Sequence, residues 1–465
     1  MNTLIKNGTI VTSVNEYKAD IYIEDGVIKE IGSRLEKEAE QTIDASGRLI
    51  FPGGVDEHVH YGSFGGRLFE TTDAAAVGGT TTIVDFAPQE KGVPLIDAIL
   101  KQAAKAEGIA SVDYAFHGII MDPKDSVFEE IPKLPEIGVS SLKLFMAYKG
   151  TDFYSDDESI LKAMMIAKNH GITMMVHAEN ADIITVLQKK YLEEGHTEPV
   201  YHYYSRPPIA EEEATKRAIA LAKAADCPLY VVHVSVKEAM EAIKEAYEEG
   251  NPIFGETCTH YLTLTTDYLD LPDFEGAKYV CAPPLRPQEH QDALWEAVQK
   301  GWLQAVGSDH CALDGGFETK KKGMGDFTKI PNGCPGVQDR LAMLWTKGVC
   351  DGKITRQKFI ELFSTMPAKV VGLYPQKGEI AVGSDADIVI FDPDYTGVIR
   401  NEDSLHGIDY SPFEGFEVKG RAEKVFLRGE LIAQNGSFVG EKGKGNWQKA
   451  KPYAMCYDYY SGGNK

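Results

Sequence analysis

The 465-residue sequence predicts an α/β fold: a closed (β/α)8 barrel of the TIM type, carrying a small β-sandwich built from both ends of the chain. Three observations predict it. Eight short apolar runs alternate with amphipathic stretches through the middle of the chain. Strand-and-turn texture fills the first fifty residues and returns near residue 387. Histidines and an aspartate stand at the C-terminal ends of several apolar runs, the rim where barrel active sites gather.

At the N-terminus, residues 3–6, 8–13, 19–24 and 27–31 read as short strands. Asn7-Gly8 and Asp25-Gly26 divide them, and both pairs suit tight hairpins because they tolerate positive φ. The candidate barrel strands are residues 49–55, 80–86, 113–120, 141–148, 172–177, 229–234, 253–257 and 304–308. Helical patterns at 94–110, 159–170, 211–225 and 236–250 lie between them. Strand texture resumes at 387–392 and 422–434, where Gly429 marks a hairpin. The chain thus divides into sandwich (1–50), barrel (51–370), the rest of the sandwich (371–440) and a tail (441–465). The aromatic run at 453–460 either docks on a neighbouring subunit or folds back on its own barrel.

Composition excludes several functions. Apolar and charged shares of 43% and 25% are those of a globular protein, and no run of about 18 apolar residues offers a membrane span. The first residues lack the basic-then-apolar layout of a signal peptide. Seven scattered cysteines with no C-x-x-C pair argue against a disulfide framework and fit a reducing cytoplasm. A net charge of −22 repels phosphate backbones, so nucleic acid is not an expected partner.

The chemistry sits at the strand ends. The first candidate strand leads into Asp56-Glu57-His58-Val59-His60; residues two apart on an extended chain point the same way, so His58 and His60 can chelate one cation. The fifth ends in Val176-His177-Ala178-Glu179, the sixth in Val232-His233-Val234-Ser235, the eighth in Gly307-Ser308-Asp309-His310. One such histidine is an ordinary packed residue, whereas four histidines and an aspartate converging on one rim point to metal. Lys143 stands inside the apolar fourth strand, where a bare ammonium is costly and its pKa is depressed. Two readings follow. A neutral amine adds carbon dioxide to give an anionic carbamate able to bridge two metals, or the lysine stem crosses the barrel to pair with a carboxylate. The histidines favour the first.

Taken together, His58-Val-His60, Lys143-Leu-Phe-Met-Ala-Tyr148-Lys-Gly, Val-His177-Ala-Glu, Val-His233-Val-Ser and Val-Gly-Ser-Asp309-His-Cys resemble the dihydropyrimidinase and hydantoinase family. Tyr-Val-Cys-Ala282-Pro-Pro-Leu-Arg286 and Phe-Thr-Lys-Ile-Pro-Asn332-Gly-Cys-Pro-Gly336 extend the likeness almost end to end. The resemblance implies a binuclear zinc enzyme of the amidohydrolase superfamily, usually a homotetramer, with a homodimer as the alternative. It assigns His58, His60 and Asp309 to one metal, His177 and His233 to the other, and carbamylated Lys143 as the bridge. A metal-bridging hydroxide then attacks the ring amide carbonyl, Asp309 relays the proton, and Tyr148 holds the developing oxyanion. Groups near Ala282, where the family commonly has serine, and Asn332 hold the ring amide.

The expected reaction is hydrolytic opening of a 5,6-dihydropyrimidine or 5-substituted hydantoin to an N-carbamoyl amino acid. Dihydroorotate-like substrates are disfavoured because Gly62 stands where related enzymes place an arginine two residues after H-x-H. The loop Tyr61-Gly-Ser-Phe64-Gly-Gly66, shorter and richer in glycine than in relatives, walls the ring's exocyclic group with Phe64. Alternatives are an allantoinase-like or other cyclic-imide hydrolase, a mononuclear deaminase, and a non-catalytic dihydropyrimidinase-related adaptor. His117, His260 and His310 read as packing residues or as partners of the ligand side chains. Arg286 reads as paired with a carboxylate of its own loop, and Asp85 as either the partner of a ligand imidazole or a structural ion.

Overall fold

The structure, a computed structural model, describes residues 2–452; the aromatic run at 453–460 lies outside the described residues. Eight parallel strands follow one another around the barrel in chain order: Gly54–Val59, Thr80–Pro88, Asp113–Ile119, Ser141–Phe145, Thr173–His177, Leu229–Val231, Ile253–Cys258 and Ala305–Gly307. The eighth meets the first through a parallel bridge between Val59 and His310, where the His60 amide donates to the His310 carbonyl at 2.7 Å. The barrel interior is filled rather than open, by Val55, Val84, Phe86, Ala115, Met175, Tyr230 and Phe254. Helices cover the outside, so these strands are buried on both faces and read as continuous apolar runs.

Local chemistry sets the helix starts. Asp156 caps the helix Asp157–Ala167 by accepting from the Ser159 amide, and Asp157 and Glu158 favour its positive end. Asn180 caps Ala181–Glu193, so the chain turns into a helix directly after delivering His177 and Glu179. Pro208 opens the helix Pro208–Ala225, its fixed φ suited to the first turn.

Two expectations are corrected. The run 49–55 is not one strand: Leu49–Pro52 pairs with Ile388–Val398 in the sandwich, and the barrel strand begins only at Gly54. Gly53 and Gly54 allow this crossing, because a Cβ on either would lie within 2.5 Å of Thr81 or Phe363. Asn7-Gly8 does not close a hairpin either. Asn2–Lys6 belongs to a four-stranded sheet and Thr9–Val11 to a seven-stranded one, so the chain changes sheet there. Asn7 takes φ +66, and Gly8 is required because a Cβ would meet Ile50 at 2.3 Å. The other predicted turns form: Asp25-Gly26 joins Asp20–Glu24 to Val27–Gly32, and Arg428-Gly429 joins Glu417–Leu427 to Glu430–Gln434.

The two sheets make the sandwich, with a core dominated by isoleucine: Ile5, Ile21, Ile23, Ile28 and Ile43 from one, Ile10, Ile50, Ile388 and Ile390 from the other. The outer face of the larger sheet packs on the barrel, with Phe391 tilted against Trp345 (4.5 Å) and Phe51 edge-on to Phe359 (5.8 Å). A buried ionic knot joins the two parts. Lys377 reaches Asp113 (2.6 Å) at the start of the third barrel strand, and Asp385 and Asp387 (2.8 Å each) at the edge of the sandwich. The described part of the tail lies along its own barrel: the Gln448 amide donates to Tyr114, and Trp447 stacks edge-on against Phe116. Among the described residues no helix is long and apolar enough to cross a membrane.

Candidate metal centre and active site

The strand ends deliver the predicted residues to one mouth of the barrel. His58 lies in the first strand and His60 just past it, two apart and on the same side. Lys143 lies within the fourth strand and His177 ends the fifth. Tyr148, His233 and Asp309 follow their strands in the left-handed region, with φ of +64°, +42° and +46°. Phe64 is also left-handed, at +52°. Phenylalanine, tyrosine and histidine adopt this region only under constraint, so backbone strain is gathered around this mouth.

The donor atoms of His58, His60 and Asp309 all lie within 4.8 Å of one another. Asp309 Oδ1 is 3.2 Å from Nε2 of both imidazoles. Lys143 Nζ lies 3.2 Å from His58 Nε2 and 4.2 Å from the centre of the Phe86 ring. The His233 ring is 4.6 Å from His177 and 5.3 Å from His58, and the Tyr148 ring is 5.4 Å from His177. Outer partners hold these rings. Glu256 accepts from His58 Nδ1 and from the His233 amide (3.1 Å). Glu179 bonds His177 Nε2 at 2.7 Å and pairs with the buried guanidinium of Arg206.

Burial pushes the pKa of His58, His60, His177 and His233 below the usual imidazole value, so all four are neutral Lewis bases. Burial also pushes Lys143 down to about 8 and the Tyr148 phenol up to about 12. For Asp309 burial acts upward, but the His60 bond overrides it and holds the carboxyl below its usual range. Glu179 is likewise buried, yet Arg206 and His177 hold it at about 2. Four neutral imidazoles, one carboxylate and an easily deprotonated lysine form a donor set suited to divalent cations. His58 and His60 both turn Nε2 toward Asp309 Oδ1, the convergence that a single cation requires.

A cavity of about 400 Å³ opens above this centre, lined by His60, Lys143, Tyr148, His177, His233, Asp309, Ala282 and Asn332. His58 lies beneath it, fully buried. Phe64, Phe145 and Phe153 form an aromatic wall; Phe64 stands edge-on to His60 (4.8 Å) and 5.3 Å from Phe153. The Phe64 loop is tied down rather than loose. Arg67 donates to the Ala312 carbonyl, Lys105 to that of Gly62 and Gln102 to that of Tyr61.

The residues set aside take structural partners. His117 bonds the Glu57 carbonyl (2.9 Å), and His310 accepts from the Gly336 amide (3.1 Å). His260 packs against Tyr261. Asp85 receives the Tyr61 amide and Gln102, so among the described residues it braces the loop after His60 rather than an imidazole of the candidate donor set. Arg286 pairs with Glu211, a residue of the helix Pro208–Ala225 and not of its own loop. Sequence reading passed over Glu256 and Arg206. An acid inside the apolar run Ile253-Phe-Gly-Glu256 was the available signal for the first; nothing local marked the second.

Comparison with known proteins bears on the chemistry. The amidohydrolase family pattern matches residues 49–432, most of the chain. The chain belongs to the amidohydrolase family. Among curated relatives, this amidohydrolase is 49% identical to the D-hydantoinase of Geobacillus stearothermophilus, with 97% of each chain covered. It is 48% identical to that of Ralstonia pickettii, over 97% of this chain and all of the other. Its fold superposes on the crystal structure of dihydropyrimidinase from Brevibacillus agri NCHU1002 with a TM-score of 0.95, at 47% identity, covering 98% of this chain and 100% of the other. It is a hydrolase of cyclic amides of the hydantoinase and dihydropyrimidinase type, with a divalent metal centre.

Proposed function

We propose that this amidohydrolase opens 5-substituted hydantoins to N-carbamoyl amino acids, with 5,6-dihydropyrimidines as secondary substrates. The aromatic wall of Phe64, Phe145 and Phe153 beside Tyr148 carries this reading. A hydantoin held by its ring amide places an apolar C5 substituent against such a wall, whereas dihydrouracil has nothing to cover it. The D-hydantoinase names of the relatives support the same choice.

In this reading His58, His60 and Asp309 would hold one zinc ion and His177 and His233 the other, and carbamylated Lys143 would supply an anionic ligand to the pair. The carbamate is supported by the surroundings of Lys143: among the described residues its Nζ makes no ion pair with a carboxylate, and the one hydrogen-bond partner of Nζ is an imidazole. When bound, the two ions supply hydroxide near neutral pH and polarise the substrate carbonyl. Asp309 takes the proton of the attacking water and returns it to the leaving ring nitrogen. Tyr148, kept protonated by its raised pKa, donates to the carbonyl oxygen as charge develops there. Asn332, whose buried Oδ1 lacks a partner among the described residues, and the backbone around Ala282 hold the ring amide. The free thiols of Cys258, Cys281, Cys311, Cys334 and Cys350 fit a reducing cytoplasm, and the family likeness fits a homotetramer.

Side-by-side turnover of 5-phenylhydantoin and dihydrouracil by zinc-loaded protein, following the N-carbamoyl products, tests the substrate. Faster opening of the hydantoin is expected. Faster opening of dihydrouracil overturns the choice, and no opening of either overturns both.

A further inference from the structure

Arg206 lies outside the predicted donor set, 3% exposed, in the turn Ser205-Arg206-Pro207 that leads into the helix Pro208–Ala225. Pro207 fixes the chain beside it in an extended conformation, so the side chain enters the barrel mouth from a rigid base. Three contacts radiate from it. Its Nη1 pairs with Glu179, which holds His177 Nε2 at 2.7 Å. Its guanidinium faces the Tyr148 ring, 5.5 Å from the centroid. Its carbonyl accepts from Arg286, whose Nε donates at 2.9 Å to Ser235, two residues beyond His233. Arg286 is in turn held by Glu211 at 3.0 Å.

The geometry points to Arg206 as a positioning residue whose side chain locks His177 and Tyr148 in one arrangement, tying the second metal position to the group that meets the substrate carbonyl. A carboxylate bound to the far nitrogen of an imidazole fixes which nitrogen faces the metal, and it does so only while the carboxylate itself is held. Arg206 and His177 both bind Glu179 and both lie against the Tyr148 ring, so the guanidinium closes a ring of contacts around that carboxylate. The strut bypasses His58, His60 and Asp309, so its loss acts on one metal position more than the other. This inference rests on the two-metal reading above.

The test counts zinc per subunit during titration with a chelator, alongside kcat and KM, for the parent enzyme, R206M and R206K. In R206M one ion of the two is released at chelator concentrations at least tenfold lower than in the parent, and kcat falls more than KM rises. R206K restores part of the resistance. The double variant E179Q/R206Q buries no unpaired charge and shows the same selective loss if R206M does not fold. Parent-like resistance and kcat in whichever of these variants folds overturns the positioning role while leaving the two-metal reading intact. A single zinc in the parent enzyme overturns that reading, and the inference with it.

Discussion

Lys143 Nζ and His58 Nε2 lie 3.2 Å apart at the base of the cavity, a lysine against a neutral imidazole in fully buried surroundings. That nitrogen accepts from either form of the lysine, and it is burial that disfavours the ammonium. The group's pKa is lowered from 10.5 to about 8 by burial, so the neutral, carbon-dioxide-reactive form grows as pH rises toward 8 and dominates above it. Metal-free protein given zinc at constant dissolved carbon dioxide therefore regains activity faster as pH rises, by nearly tenfold per unit below about pH 8, and levels off above. A rate independent of pH from 6 to about 8 would contradict this.

Glu256 holds a group at each of the two proposed metal positions, accepting from His58 Nδ1 and from the His233 amide. Removing it frees one imidazole to rotate and leaves a buried N–H unpaired. We expect Glu256→Ala to weaken zinc binding roughly 10- to 100-fold. Chelator competition monitored by metal content measures this.

The strand ends were legible in the sequence because they are local: His177 and Asp309 follow apolar runs whose direction alone places them on the rim. The sheet assignment of Leu49–Pro52 was not, since its partner Ile388–Val398 lies more than three hundred residues away. Arg206 carried no local signal for the same reason, and Glu256 showed only as an acid in an apolar strand. What the sequence hid was the set of partners, and outer partners are chosen by tertiary contact.

Lys377 bridges three buried aspartates between sandwich and barrel. In Lys377→Met those charges face each other with Arg428, paired to Asp113, as the remaining cation among the described residues. Urea denaturation should show a loss of roughly 3–5 kcal/mol, with kcat unchanged in the folded fraction. A loss below about 1 kcal/mol, the scale of an exposed pair, would contradict the structural role.

Phe64 is the part of the aromatic wall set by the short glycine-rich loop. Phe64→Ala should raise KM for 5-phenylhydantoin about tenfold, equivalent to roughly 1.4 kcal/mol of lost apolar contact, and leave unsubstituted hydantoin nearly unaffected. Steady-state kinetics on the two substrates distinguishes this from a general loss, which would lower both alike.

The central claim is a two-metal centre that depends on Lys143. The most direct test is the zinc-to-subunit ratio after reconstitution with zinc and bicarbonate, measured for the parent chain and for Lys143→Ala. The account predicts about two ions in the parent and a large loss of bound metal in the variant. Two tightly held ions in Lys143→Ala would contradict it.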